Sequence, residues 1–189
     1  NDATTLPVDS IWYPGVNPIT DWYGVTWVDS AALGTTLKVL SIDLSNIPLN
    51  TGITAFIDDM DQLEVLDLNG CGLSGLVSSG FLGSGLFILK ILNLSNNDLT
   101  FEPFFFNLIS PLVSLEELYL RNSFNPASVD TLPDFFANNL ITLDISENNF
   151  TGDLDFYPGT GLEFIQELYA SNNFFSTLSM PFNSNLSVL

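Results

Sequence analysis

The sequence predicts a solenoid of the α/β class, in which short parallel strands stack on one another. Three observations predict this fold. A leucine pattern recurs every 24 to 26 residues, apolar and polar positions alternate within each copy, and 46% of the residues are hydrophobic, including 16 Phe. A chain of 189 residues with this composition has enough apolar side chains for a continuous packed interior.

The repeat places apolar residues at its positions one, four, six and eleven, and a small or amide residue at position nine. Six copies begin, in order, at Val39, Leu63, Leu89, Leu115, Leu140 and Ile165. The centre of each copy is predicted to be a strand, because alternate side chains turn inward while the others face solvent. One copy cannot bury its own apolar face, so the copies are expected to stack.

Position nine is predicted to hold neighbouring turns together. Asn97, Asn148 and Asn173 occupy it, and their amides can bond to backbone groups of adjacent turns. Cys71 and Ser123 are small replacements at the same position. Cys71 is the only cysteine, so no disulfide can form within this chain, and its place in the pattern favours a buried structural thiol over a nucleophile.

The motif L-x-x-L-x-L-x-x-N-x-L resembles that of the leucine-rich-repeat family, and Gly75 and Gly152 stand at the glycine position of its plant-type, extracellular subclass. The resemblance implies a right-handed solenoid with a parallel β-sheet on the concave side and short helical or 3₁₀ turns on the convex side. Residues 53–61 and 101–112 are expected to supply such turns. The fourth copy lacks leucine at position eleven, so we expect a bulge or a projecting loop at 121–126.

The two ends depart from the repeat. Residues 1–38 are predicted to form an N-terminal cap, followed by repeats over 39–189, the seventh of which stops after four residues. The segment 21–27 resembles the cap motif of plant-type repeats without its cysteines. In that motif two cysteines form a disulfide. Here we expect Trp12, Trp22 and Trp27 to cover the end of the core in its place, with ligand binding by exposed tryptophans as the alternative. The last strand is expected to leave an open edge for further repeats, a partner or edge-to-edge self-association.

The charge is strongly one-sided. The chain has 22 acidic residues against Lys38, Lys90 and Arg121, a formal charge of −19. The sequence therefore predicts no binding of nucleic acid, which needs a basic stripe, and no membrane insertion, which needs a long apolar run. Self-repulsion on this scale favours a saline or calcium-containing setting, outside the cell or at its surface. Calcium is possible, but the acids lack a recognisable binding motif, so no cofactor is predicted.

Catalysis is not predicted, because the chain has no histidine and its one cysteine belongs to the repeat. A carboxylate-based glycoside hydrolase is a minor alternative, since neighbouring strands would place acid pairs on one face. An ice-binding protein is another, although no column of regularly spaced threonines exists. Asn93, Asn149 and Asn185 begin N-x-[ST] sequons, which matter only in a glycosylating source.

Side chains at positions three, five and seven of the six copies are predicted to form columns on the concave side, and we call this surface the sheet face. The predicted ligand-binding residues on it are Asp43, Asp67, Asn93, Glu117, Tyr119, Arg121, Asp144, Glu167 and Tyr169. Rigid aromatic area beside directional polar groups is typical of binding hot spots. We therefore expect a non-catalytic ligand-binding module of a secreted or cell-surface protein, within a larger adhesin or receptor-like protein.

The expected ligand is a protein or peptide of basic character, or a carbohydrate, because an acidic face speeds encounter with cations and tyrosines stack on sugar rings. A structural surface solenoid without a specific ligand is the alternative reading of the same face. The cap, the convex side and the 121–126 segment are alternative places for a binding site.

Overall fold

The computed structural model describes residues 23–29, 37–49, 60–77, 85–100, 109–126, 139–155, 164–179 and 186. Eleven strands lie in these ranges: β1 Val25–Asp29, β2 Leu37–Asp43, β3 Val65–Asp67, β4 Ser74–Leu76, β5 Ile91–Asn93, β6 Asp98–Thr100, β7 Glu117–Tyr119, β8 Thr142–Asp144, β9 Thr151–Asp155, β10 Glu167–Tyr169 and β11 Phe174–Ser179. Of the described residues only Ile109 has helical geometry.

A seven-stranded sheet organises the molecule, in the order β1-β2-β3-β5-β7-β8-β10. The six strands from β2 to β10 run parallel, one from each copy of the repeat, and we number them rungs one to six. Equivalent positions of adjacent copies pair directly, as when Leu118 pairs with Leu92 on one side and Leu143 on the other. The predicted parallel solenoid is confirmed.

The core is a set of columns made by the repeat's apolar positions. The residues at position four are all fully buried: Ile42, Leu66, Leu92, Leu118, Leu143 and Leu168. Positions one, six and eleven contribute most of the remaining buried leucines. Each such side chain contributes roughly 1.5–3 kcal/mol on burial, so the stacked copies supply the stability that a single copy lacks.

Two smaller parallel sheets, which the repeat pattern did not predict, follow the turns at position nine. β4 pairs with β6, and β9 pairs with β11. Gly75 in β4 and Gly152 in β9 have φ angles of +80° and +81°, a region that favours glycine. The glycine position of the plant-type motif therefore lies in this second set of strands.

The fourth copy corrects one prediction. The segment 121–126 was expected to bulge or project, but Ser123 and Phe124 are buried. Phe124 forms a parallel bridge with Leu99, the residue at position eleven of the previous copy. Its ring also meets Phe150 edge-on, with 6.0 Å between centroids. A large apolar residue at position ten thus occupies the space that position eleven fills in the other copies.

The first parallel strand is covered by β1, which runs antiparallel to β2 and so occupies the edge of the main sheet. Trp27 of β1 is partly buried opposite Val39, whereas Trp12 and Trp22 lie outside the described residues. Of the turns expected at 53–61 and 101–112, residues 53–59 and 101–108 also lie outside them. At the far end Leu186, the first residue of the seventh copy, packs partly buried against the core.

Candidate functional site

Position nine carries the ladder that the sequence predicts. The side chain there donates to the carbonyl of position six in the preceding copy, in five successive pairs: Cys71 to Leu44, Asn97 to Leu68, Ser123 to Leu94, Asn148 to Leu120 and Asn173 to Ile145. Asn148 also accepts hydrogen bonds from the backbone N–H groups of Ser123 and Phe124 through Oδ1, at 2.9 and 3.2 Å. The predicted role of this position is confirmed.

Cys71 is part of that ladder and is fully buried. Its Sγ lies 3.1 Å from the Leu44 carbonyl oxygen. Burial raises the pKa of the Cys71 thiol to about 11, and the negative charges of Asp67 and Asp43 add to the rise, although a backbone hydrogen bond from Ile47 opposes it. The thiolate is the reactive form of cysteine, so this thiol has neither the access nor the charge of a nucleophile.

Position eight turns the chain through the left-handed region in every copy, at Asn46, Gly70, Asn96, Asn122, Glu147 and Asn172. Asparagine and glycine tolerate this conformation, whereas most side chains are strained in it. Glu147, with φ of 60°, is the one residue of this set that is neither. It lies at the rim of the sheet face, on rung five.

The structure places the residues predicted for the sheet face in register, but it gives them different roles. At position five, four residues accept a hydrogen bond from the backbone N–H two residues later: Asp43 from Ser45, Asp67 from Asn69, Asn93 from Ser95 and Asp144 from Ser146. Asn93 also donates to Asp67 Oδ2 at 3.1 Å. The polar character of these residues is thus explained by the turn that ends each strand.

Sequence reasoning missed this local role, although the signal was available. Aspartate or asparagine followed by a small or amide residue two positions on is the signature of an Asx-turn, and four of the six copies carry it. The binding role predicted for Asp43, Asp67 and Asn93 is therefore not needed to explain why these residues are polar.

Tyr119 and Tyr169 occupy position five on rungs four and six, and a tyrosine side chain cannot close the turn by accepting the N–H two residues later as Asp and Asn do. The hydroxyl of Tyr119 donates to Glu117 Oε2 at 2.8 Å, and that of Tyr169 lies 3.5 Å from Glu167 Oε2. Partial burial, then the hydrogen bond to Glu117, raise the pKa of Tyr119 to about 12. Tyr119 is partly buried and Tyr169 is 36% exposed, so two phenol rings stand among the acidic side chains of the sheet face.

All three basic side chains of the protein are engaged in ion pairs. Lys38 pairs with Asp61, Lys90 with Glu64 and Arg121 with Glu147, each at 2.7 Å. The pairing with Glu64 raises the pKa of Lys90. Arg121, predicted to contact ligand, reaches along the rim of the sheet face to the next rung. The remaining acidic side chains of the face have no cation of the protein's own against them within the described ranges.

The described part of the chain contains no group of three or more His, Cys, Asp or Glu side chains that could hold a metal ion. No helix within it has the length and apolar character needed to cross a bilayer. A depression of about 370 Å³ lies beside β11, and its lining is mostly apolar: Leu154, Ala170, Ser171, Phe175, Thr177 and Leu178.

Comparison with known proteins agrees with this architecture. A family model described as Leucine Rich Repeat matches residues 62–84, 89–108 and 139–159. A search of curated protein sequences gave no match. The matched segments are leucine-rich repeats, and the structure fits the plant type of this repeat.

Two of the solved structures with the same fold are leucine-rich-repeat ectodomains of receptor kinases from Arabidopsis thaliana. One is the leucine-rich-repeat ectodomain of the membrane receptor kinase GASSHO1/SCHENGEN3 from Arabidopsis thaliana, in complex with CASPARIAN STRIP INTEGRITY FACTOR 2. The similarity has a TM-score of 0.72 and 25% identity over 97% of this chain, which spans 21% of that chain's length.

Another is the leucine-rich-repeat ectodomain of the receptor kinase SOBIR1 from Arabidopsis thaliana, with a TM-score of 0.63 and 20% identity over 90% of this chain and 92% of that one. A third, the structure of PEPR1-AtPEP1, has a TM-score of 0.59 and 20% identity over 99% of this chain and 30% of that chain. These two similarities concern the fold.

Proposed function

We propose that this chain is a non-catalytic ligand-binding module of a secreted or cell-surface protein, and that its ligand is a protein or peptide. It would consist of a cap over 1–38 and repeats over 39–189. The ligand would lie on the sheet face at rungs four to six, around Tyr119 and Tyr169. A larger receptor-like protein is the expected setting.

One observation carries this proposal. In the position-five column, the Asp and Asn residues close their own turns, whereas Tyr119 and Tyr169 do not. The fold gives no reason for two large aromatic side chains at these outward positions. Exposed aromatic side chains next to charged groups are the usual anchors of protein interfaces, so contact with a ligand supplies the missing reason.

The similarity to the GASSHO1/SCHENGEN3 ectodomain supports the same ligand class, because that ectodomain was solved in complex with CASPARIAN STRIP INTEGRITY FACTOR 2. The charge of the chain supports a basic segment as the bound part. With a formal charge of −19 and every Lys and Arg already paired, opposed potentials would speed encounter with a cationic partner.

The test is selection of a displayed library of random peptides against the purified chain, alongside a glycan array. We expect enrichment of peptides rich in Lys and Arg, and at least a tenfold loss of their affinity in the double variant Tyr119→Ala with Tyr169→Ala. The matched control is Phe87→Ala with Phe164→Ala, which removes two aromatic side chains that are each 53% exposed but lie in turns before the strands.

Retention of peptide affinity in the tyrosine variant would show that the ligand binds elsewhere. Failure to enrich any peptide would favour a structural solenoid, and enrichment on the glycan array alone would overturn the protein or peptide class.

A further inference from the structure

Rungs four and six carry the same tripeptide on the same face. Glu117-Leu118-Tyr119 and Glu167-Leu168-Tyr169 both have the leucine fully buried and the other two side chains outward. The register joins Tyr119 to Asp144 and Asp144 to Tyr169, with Thr142 between the glutamates in the adjoining column. Neighbouring strands lie about 4.8 Å apart, so the tyrosine backbones are separated by roughly 10 Å, with an aspartate midway.

Short hydrogen bonds orient the side chains of Tyr119 and Asp144 in this cluster. Each tyrosine hydroxyl points to the glutamate of its own strand, at 2.8 Å on rung four and 3.5 Å on rung six. Asp144 Oδ1 accepts from both the backbone N–H and the hydroxyl of Ser146. Among the described residues Oδ2 of Asp144 has no such partner, so one oxygen of a fixed carboxylate is available between two aromatic rings.

No cation of the protein neutralises this cluster. Arg121 follows Tyr119 by two residues, but its guanidinium is paired with Glu147 at 2.7 Å. Lys38 and Lys90 pair with acids elsewhere. The cluster therefore holds three carboxylates and two phenol rings, and the chain has no other basic side chain to place against them.

We propose that Tyr119, Asp144 and Tyr169 form a cradle for one basic side chain, an arginine or lysine of the protein partner, with Glu117 and Glu167 at its sides. A cation above Asp144 would lie on the rung between the two tyrosines, with one phenol ring on either side, and a cation–π interaction with either ring would add to its binding. Asp144 Oδ2 would accept its N–H groups, a bond that charge strengthens. The cradle rests on the proposed function and names the part of the ligand that is bound.

The test uses probes that do not depend on the natural ligand. A pentapeptide with one arginine among glycines, acetylated and amidated at its ends, is titrated into the purified chain and followed by the NMR signals of the tyrosine rings. The same peptide with uncharged citrulline is the reference. We expect binding in the millimolar range and at least fivefold weaker binding of the citrulline peptide.

Two variants of equal charge locate the site. Asp144→Asn keeps an oxygen for the Ser146 N–H and removes the charge. It should weaken binding of the arginine peptide at least fivefold. Asp43→Asn makes the same change on rung one, where Asp43 bonds the Ser45 N–H. It lies about 19 Å away, beyond the Debye length of roughly 8 Å at physiological salt, and should change affinity less than twofold.

Equal effects of the two aspartate variants would overturn the cradle, because they would show attraction to the acidic surface as a whole. Equal affinity for the arginine and citrulline peptides would overturn it as well. Loss of affinity for the arginine peptide in both Asp144→Asn and Tyr169→Leu would support the cradle. The outcome is distinct from that of the library selection, since a cradle that binds arginine peptides can exist in a chain for which no high-affinity peptide is selected.

Discussion

The guanidinium of Arg121 lies 2.7 Å from the carboxylate of Glu147 and joins rungs four and five at the rim of the sheet face. Glu147 holds this contact from a left-handed backbone with φ of 60°, where the other copies use Asn or Gly. A strained residue that departs from its equivalents is a reason to look for function. Here the contact pairs the charge of Arg121 with a carboxylate of the next rung.

Replacement of Glu147 by Asn should therefore separate stability from binding. Asn relieves part of a backbone cost of about 1–2 kcal/mol, while the exposed ion pair that is lost contributes about 0–1 kcal/mol. We expect the free energy of unfolding in urea to rise slightly or stay level. Affinity for the arginine pentapeptide should fall two- to fivefold, because Arg121 is then free to repel it. A loss of stability above 1 kcal/mol would contradict this reading.

The close approach of Gly24 to rung one should control the docking of β1. A Cβ at Gly24, with φ of +70°, would lie 1.9 Å from the Asp43 carbonyl oxygen. Gly24→Ala should therefore displace β1 and speed hydrogen exchange of the Asp43 amide, which now bonds the Gly24 carbonyl at 2.7 Å. Gly75→Ala is the matched control, because its φ is +80° but no atom lies within 4 Å.

Gly75→Ala should lower the free energy of unfolding only by the backbone cost of about 1–2 kcal/mol, and hydrogen exchange of the Asp43 amide should be unchanged. Equal losses of stability in the two variants would mean that the approach to Asp43 is not tight in solution.

The main sheet could be predicted because the repeat fixes it at every copy. Leucines at fixed spacing select the same backbone geometry in each copy, and stacking then brings Leu92, Leu118 and Leu143 into one column without any further information. The second sheets were not predicted. Ser74–Leu76 is short, contains a glycine and has three exposed side chains, so it has none of the apolar alternation that indicates a strand.

Phe124 shows a different limit. In the fourth copy position eleven is Asn125, so the motif predicts no apolar side chain there. The core requires only that some apolar ring reach the space beside Leu99. A residue one place earlier meets that need. Compensation of this kind depends on three-dimensional space and leaves no trace in the spacing.

For the candidate site, the columns could be predicted but the roles of their members could not. The registers of Tyr119, Asp144 and Tyr169 follow from the repeat. The ion pair between Arg121 and Glu147 joins residues 26 apart in sequence, and it depends on side-chain reach between rungs. Hence Arg121 was assigned to the ligand by its position, although its guanidinium is engaged within the protein.

The ladder at position nine should dominate stability among the polar side chains. Asn148→Ala would leave two N–H groups and three carbonyl oxygens without their bonds to the amide. At about 1–3 kcal/mol for each buried group that stays unsatisfied, we expect a loss of about 3–5 kcal/mol in urea unfolding. Asn139→Ala is the control, since exposed Asn139 makes one bond to the Val113 carbonyl. It should lose less than 1 kcal/mol, and comparable losses would contradict the ladder's role.

Cys71 makes stability depend on pH in the alkaline range. Burial raises the pKa of its thiol from the ordinary 9.0 to about 11 in the folded chain. The unfolded chain therefore releases this proton first as pH rises. The contribution of the protonated thiol to the free energy of unfolding is therefore fully present below pH 9, and it is lost as pH rises from 9 through 11.

Cys71→Ser isolates this effect, because Ser123 already occupies the equivalent position and donates to the Leu94 carbonyl at 2.9 Å. We expect the variant to fold with a loss of about 1 kcal/mol at pH 7, from weaker packing of the smaller oxygen. Between pH 9 and 11 the unfolding free energy of the wild type should fall by about 1–2 kcal/mol more than that of the variant, taking about 1.4 kcal/mol per pKa unit and allowing for screening. Parallel curves would mean that the thiol titrates at its ordinary pKa and is not buried as the ladder requires.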